Sequence, residues 1–200
     1  MVTAERLRNT LEKLDRKPFA VYITSPDYLG KVANIPELSK VCKEYDIPLL
    51  VDNAHGSYLK FCPQDMHPIS LGADMCCDSA HKTLPVLTGG GYLHIAKSDK
   101  YGFSQNAINA MAIFGSTSPS YLILQSLDLC NKYIDEKIKE DIKNCTVKCE
   151  KISRIMVECG VWNTTSPQFY EPLKITADFS ECDGNFAEHF RKYGIEPEYA

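Results

Sequence analysis

The sequence predicts an α/β protein with a parallel sheet in its first half, and three observations carry that reading. Short apolar segments alternate with amphipathic helical segments up to about residue 96. Two of the apolar segments end in polar residues suited to chemistry: Asp52, and the run from Ser79 to Lys82. From Leu127 to Cys159 an apolar position recurs every three or four residues, which demands a long helix.

Taken in order, Thr3 caps a helix whose stripe is Leu7, Leu11 and Leu14. Phe19 to Thr24 reads as a buried strand, ended by Ser25-Pro26. Pro36 opens a helix with Leu38, Val41 and Tyr45 inward. Pro48 to Asp52 is a second strand. A brief helical turn at His67 to Leu71 leads to a third, Asp74 to Asp78, and Gly91 to Ala96 is a fourth. Strands separated by helices pair in parallel through crossovers. Gly89-Gly90-Gly91 lacks the spacing of a nucleotide loop and reads as a hairpin.

Ser118-Pro119 starts the long helix. Its stripe is Leu127, Cys130, Ile134, Ile138, Ile142, Cys145, Cys149, Ile152, Met156 and Cys159, and Gly160 stops it. Unbroken, it would run about 60 Å at 1.5 Å per residue, the reach of a helix bridging two domains. Leu173 to Thr176 and the helical stretch Asn185 to Tyr193 form a small α+β piece. The chain thus divides into residues 1–118, 119–160 and 161–200.

Composition narrows the function. The chain is 44% hydrophobic and 24% charged, as ordinary globular domains are. Its net charge of -4, with both signs interspersed, points away from nucleic acid and membrane and toward a small-molecule partner. No apolar run approaches a membrane span, and Met1 to Lys17 lacks the apolar core of a signal peptide, so a cytoplasmic location is expected. Nine cysteines without a framework read as reduced thiols buried as small hydrophobes. No C-x-x-C pair occurs, and no metal site is expected. His67 and His189 read as isolated residues.

In open α/β sheets ligands bind beyond the carboxyl ends of the strands, where Asp52 and Ser79 to Lys82 converge. A strand-end carboxylate could take a ribose, a metal or a protonated heterocycle, or merely cap a turn. A lysine between apolar residues and a histidine is a nucleophile when desolvated, and otherwise a surface cation.

Together the two segments are more specific. Val51-Asp52-Asn53-Ala54-His55-Gly56 followed by Ser79-Ala80-His81-Lys82-Thr83-Leu84-Pro85 resembles the Orn/Lys/Arg decarboxylase family of fold-type I pyridoxal-phosphate enzymes. Thr24-Ser25-Pro26-Asp27-Tyr28-Leu29-Gly30, the hairpin from Leu87 to His94, and Ser116-Thr117-Ser118-Pro119-Ser120-Tyr121 are similar to its other motifs, in the same order. Asn53 stands where the family more often has Glu.

The resemblance implies the fold-type I (aspartate aminotransferase-like) architecture, here the later part of its large domain, the bridging helix and part of the small domain. It implies pyridoxal 5'-phosphate as cofactor. Lys82 would hold the cofactor covalently, Asp52 would pair with its ring nitrogen, and Ala54 would pack on the ring. Ser79 would bind the phosphate, His81 would assist the phosphate or proton transfer, and His55 would reach the ring hydroxyl or the substrate. Ser116 and Thr117 would reach the phosphate of a neighbouring subunit, making the protein a homodimer or higher homo-oligomer. The reaction implied is decarboxylation of lysine, arginine or ornithine, in polyamine biosynthesis. Two alternatives stand beside it: another fold-type I activity, such as an aminotransferase or α-oxoamine synthase, and a fragment that binds without catalysis. Lys82-Thr83-Leu84-Pro85 favours the decarboxylases. Only 18 residues precede Phe19, without Gly or Ser, so the family's upstream phosphate loop is expected to be missing.

Overall fold

The alternation of β-formers and capped helices builds a four-stranded mixed sheet in the order β1-β2-β3-β4, from Val21–Thr24, Leu49–Asp52, Met75–Asp78 and Tyr92–Ile95. The structure, a computed structural model, describes residues 2–163, 170–179 and 186–198. β1, β2 and β3 pair in parallel, as expected, and β4 returns antiparallel on β3.

Helix α1 (Ala4–Leu11) is capped by Thr3, whose hydroxyl accepts the Arg6 N–H at 3.2 Å. It buries Leu7 and Leu11 but ends before Leu14, which is exposed rather than inward. Helix α2 (Ile35–Glu44) makes the β1–β2 crossover; Asn34 caps it and Pro36 lies in its first turn, where the missing N–H costs nothing. Leu38 and Val41 are buried, whereas Tyr45 is only partly so. With Ile35, Ile47, Leu49, Val51 and Cys76 they make the first core cluster. Each fully buried side chain of this size contributes about 1.5–3 kcal/mol.

Between β2 and β3 lie a short 3-10 turn (Leu59–Phe61) and one helical turn, closed by the Leu71 N–H on the His67 carbonyl. A single-turn helix, α3 (Ala80–Thr83), follows β3 directly. Helix α4 (Phe103–Phe114) had no sequence signature: it carries no one-sided stripe, and none of its residues is buried.

The stripe from Leu127 to Cys159 is carried by two helices, α5 (Tyr121–Glu136) and α6 (Ile138–Glu158), instead of one rod. Ser120, two residues after the expected start, occupies the N-cap position of α5 without a capping side-chain bond. The break is at Lys137, with φ -137° and ψ -28°. On a continuous helix Cys130 and Ile138 would point about 80° apart. Redirecting the chain at Lys137 lets Cys130, Ile138 and Ile142 join Tyr58, Leu59, Ala80 and Leu84 in one second cluster. The Tyr133 hydroxyl spans the break, donating to Asp141 Oδ2 at 2.9 Å. Beyond Ile142 the stripe emerges, with Cys145, Ile152 and Cys159 exposed. Gly160, at φ +80°, ends α6.

The cysteines divide more evenly than their hydrophobicity suggested. Cys42, Cys62, Cys76 and Cys130 are buried, but Cys77, Cys145 and Cys159 are exposed.

At the C-terminal end β5 (Trp162–Asn163) pairs antiparallel with β6 (Ala177–Asp178), just beyond the expected Leu173 to Thr176. Helix α7 (Phe186–Lys192) falls within its expected stretch, whose first residue, Asn185, lies outside the described residues. The segment between β5 and β6 comes back to the loop after β1. There the Glu171 N–H donates to the Gly30 carbonyl at 2.8 Å, and Lys31 bridges Tyr170. Lys174 Nζ donates to the Tyr28 carbonyl at 2.7 Å, and the Thr176 hydroxyl to the Leu29 carbonyl at 2.8 Å.

Candidate active site

Because β2 and β3 are adjacent and parallel, their carboxyl ends lie on one edge, with Asp52 in register with Cys77. Asp52 is half-buried. Its Oδ1 accepts the Ala54 N–H at 3.1 Å, a local turn that fixes the carboxylate, and its Oδ2 accepts the Tyr22 hydroxyl at 3.2 Å. Burial and then the Asp52 charge raise the Tyr22 pKa, so that hydroxyl stays a donor. No Lys, Arg or His among the described residues pairs with Asp52. A cationic N–H is the partner it is suited to take.

Ser79 is the cap residue of α3 and makes no side-chain bond to that helix. One turn on, Lys82 is exposed, with its Nζ 3.3 Å from His55 Nε2. The described residues therefore leave the amine without an apolar shell. Burial lowers the His55 pKa first, the charges of Lys82 and Lys174 lower it further, and Glu198 and Asp52 pull the other way. A neutral imidazole accepts a hydrogen bond from the Lys82 ammonium. The Tyr28 ring holds His55 edge-on, at 5.8 Å between centroids and 83° between planes.

The expected site residues thus fall into two groups. Asp52, Ala54, His55, Ser79 and Lys82 share the edge. His81, next to Lys82 in sequence, turns to the hairpin, where its Nδ1 donates to the Gly90 carbonyl at 2.9 Å. Ser116 and Thr117 lie exposed between α4 and α5; the Ser116 hydroxyl accepts the Ser118 N–H at 3.1 Å, and neither residue bonds to the Lys82 group.

Beneath the edge lies a polar network that sequence reasoning missed. Asn53 is fully buried and donates from Nδ2 to Asp78 Oδ1 at 2.7 Å. Asp78 Oδ2 lies 3.1 Å from both His67 Nε2 and His94 Nε2. Burial opposes the Asp78 charge, but the bonds from His67, His94 and Asn53 together outweigh it and hold the carboxyl below the usual range. Asn53 follows Asp52 and Asp78 precedes Ser79, so their bond clamps together the two loops that present the site. Nothing in the spacing of residues 53, 67, 78 and 94 announced this. Tyr22 was equally silent, and Tyr28 stood only inside the segment from Thr24 to Gly30.

The profile of the Orn/Lys/Arg decarboxylase major domain matches residues 2–180. A protein of uncharacterised function from Bacillus subtilis (strain 168), YaaO, is 38% identical over 177 residues, covering 82% of this chain and 36% of its own. An arginine decarboxylase of Bacillus anthracis is 29% identical over 213 aligned positions, 98% of this chain and 42% of its own. The chain thus spans less than half the length of these two relatives. Among solved structures, ureidoglycine-glyoxylate aminotransferase from Bacillus subtilis superposes with a TM-score of 0.74 at 12% identity, over 98% of this chain and 54% of that one. The architecture is that of fold-type I enzymes, and the chain belongs to the Orn/Lys/Arg decarboxylase family.

Proposed function

We propose that this chain carries the lysine-bearing part of a pyridoxal-phosphate-dependent decarboxylase for a basic amino acid: lysine, arginine or ornithine. The observation that supports this best is the shared edge, where the Lys82 amine meets the neutral His55 and the Asp52 carboxylate has no cationic partner among the described residues. That donor set fits the cofactor: an amine for its aldehyde, a carboxylate for a protonated ring nitrogen, and a side chain as small as Ala54 between them. When bound, the cofactor supplies the electron-withdrawing ring that stabilises charge left at Cα as carbon dioxide departs.

The rest falls to the chain's own groups. Lys82 is the nucleophile, and His55, held neutral, accepts a hydrogen bond from it and orients the amine. Asp52, fixed by Ala54 and Tyr22, keeps its negative charge aimed at the ring nitrogen. The Ser79 hydroxyl is assigned to the phosphate. His81, with Nδ1 committed to Gly90, keeps Nε2 for a proton. Ser116 and Thr117 are assigned to the phosphate of a second copy, which makes the active species a homodimer, expected in the cytoplasm and in polyamine biosynthesis. The relative named arginine decarboxylase makes arginine the first substrate to offer.

The experiment is borohydride reduction of the protein with pyridoxal phosphate, then peptide mapping. The pyridoxyl group is expected on Lys82, and its appearance on another lysine would remove the assignment. Amine release from arginine, lysine and ornithine then identifies the substrate.

A further inference from the structure

We propose that His67, Asp78 and His94 form a binding site for a divalent ion of the zinc class, behind the strand ends that carry Asp52 and Lys82. The three residues come from separate segments: the loop before β3, the end of β3 and the middle of β4. Their ligand atoms all lie within 4.8 Å of one another, and both imidazole Nε2 atoms are 3.1 Å from the same Asp78 oxygen. A tetrahedral zinc ion with bonds of roughly 2.0–2.1 Å sets its donors about 3.3 Å apart. The two measured edges are already close to that spacing.

The surroundings are those of a ligand set. Asp78 Oδ1 is taken by Asn53, an outer partner that orients the carboxylate and leaves Oδ2 for the ion. Cys76 Sγ lies 3.8 Å from His67 Nε2 and from Asp78 Oδ1, a soft donor beside the fourth position, which water otherwise fills. The Asp78 side chain is only 3% exposed, and no Lys or Arg among the described residues pairs with it. A buried carboxylate needs a countercharge. A divalent ion supplies it while both imidazoles stay neutral. The His94 side chain, 39% exposed, opens a route for the ion. The absence of C-x-x-C had argued against zinc, but a His-Asp-His set drawn from three segments leaves no such signature.

The ion would tie β3 to β4 and to the loop at His67, fixing the strand that leads into Ser79 and Lys82. This site does not depend on the cofactor assignment, and its test uses no cofactor.

The competing arrangement is a proton in place of the ion, with one imidazolium between two neighbours. To separate them, the full chain is produced with zinc in the medium, purified without chelator and analysed for metal. About one zinc per chain is expected, with cobalt(II) giving the visible absorption of a tetrahedral site. His94→Gln and Asp78→Asn should each abolish retention, and Asn53→Ala should weaken it by about tenfold in chelator competition. His94 is partly exposed, so its variant keeps the fold, as circular dichroism would verify. If the unmodified chain holds no more zinc than His94→Gln, and cobalt stays colourless, the ion site is overturned and the cluster is an imidazolium–carboxylate network.

Discussion

Replacing Glu171 with Gln tests how the returning C-terminal segment is held against the loop after β1. Glu171 is 5% exposed, and burial pushes its carboxyl from 4.5 up to about 7. Lys174, 3.9 Å away, pulls it down, but burial prevails with help from the Glu198 charge. The folded chain therefore keeps this proton across a window in which the unfolded chain has released it. The resulting stability is fully present below about pH 4.5 and is lost as pH rises through about 7, amounting to about 3 kcal/mol when the loss is complete. The substituted amide carries no charge at any pH. Urea unfolding of both proteins, followed by circular dichroism at about pH 4 and about pH 8, isolates the effect, because the other titrating groups cancel in the difference. Glu171→Gln is expected to gain about 3 kcal/mol relative to the parent between acid and alkaline conditions. A difference that stays constant with pH would show that Glu171 is already ionised in the fold.

Two further perturbations read the core. Asn53→Ala removes the bond to the charged Asp78 Oδ1 and should cost about 1.5–3 kcal/mol in urea unfolding; an unchanged midpoint would mean that the clamp adds nothing to stability. Ile142→Ala should cost about 2–5 kcal/mol, because Ile142 is buried in the second cluster. Ile152→Ala, on the same stripe but 47% exposed, should stay within about 0.5 kcal/mol, and equal costs would contradict the emergence of the stripe after Ile142.

The sheet was legible because its strands are apolar and its helices begin with readable signals, the Thr3 cap and the first-turn Pro36 among them. The edge holding Asp52 and Lys82 followed from parallel topology alone. The break at Lys137 was not legible, since Asp135-Glu136-Lys137-Ile138 contains neither Pro nor Gly. It is set by the tertiary demand that Cys130 and Ile138 reach one cluster. α4 escaped notice because a helix exposed on every side needs no periodic stripe. Partners of side chains were the least legible: His81 stands beside Lys82 in sequence, yet His55, 27 positions earlier, is the imidazole at its amine. A one-turn helix turns neighbours in different directions, and sequence adjacency carries no information about which way.

The hydrogen bonds from Lys174 to Tyr28 and from Thr176 to Leu29 join residues 146 and 147 positions apart. Closing a loop of that length gives up chain entropy before any contact repays it, so these bonds belong to the slow, late part of folding. Tyr28 bears on His55, and His55 on Lys82. The shared edge therefore acquires its final shape only after residues 171–176 have been made and folded back. A nascent chain on the ribosome would already own β1 to β4 while Lys82 still lacked a settled neighbour. Pulse-labelled hydrogen exchange during refolding should show β2 and β3 protected well before the Glu171 amide, which donates to the Gly30 carbonyl.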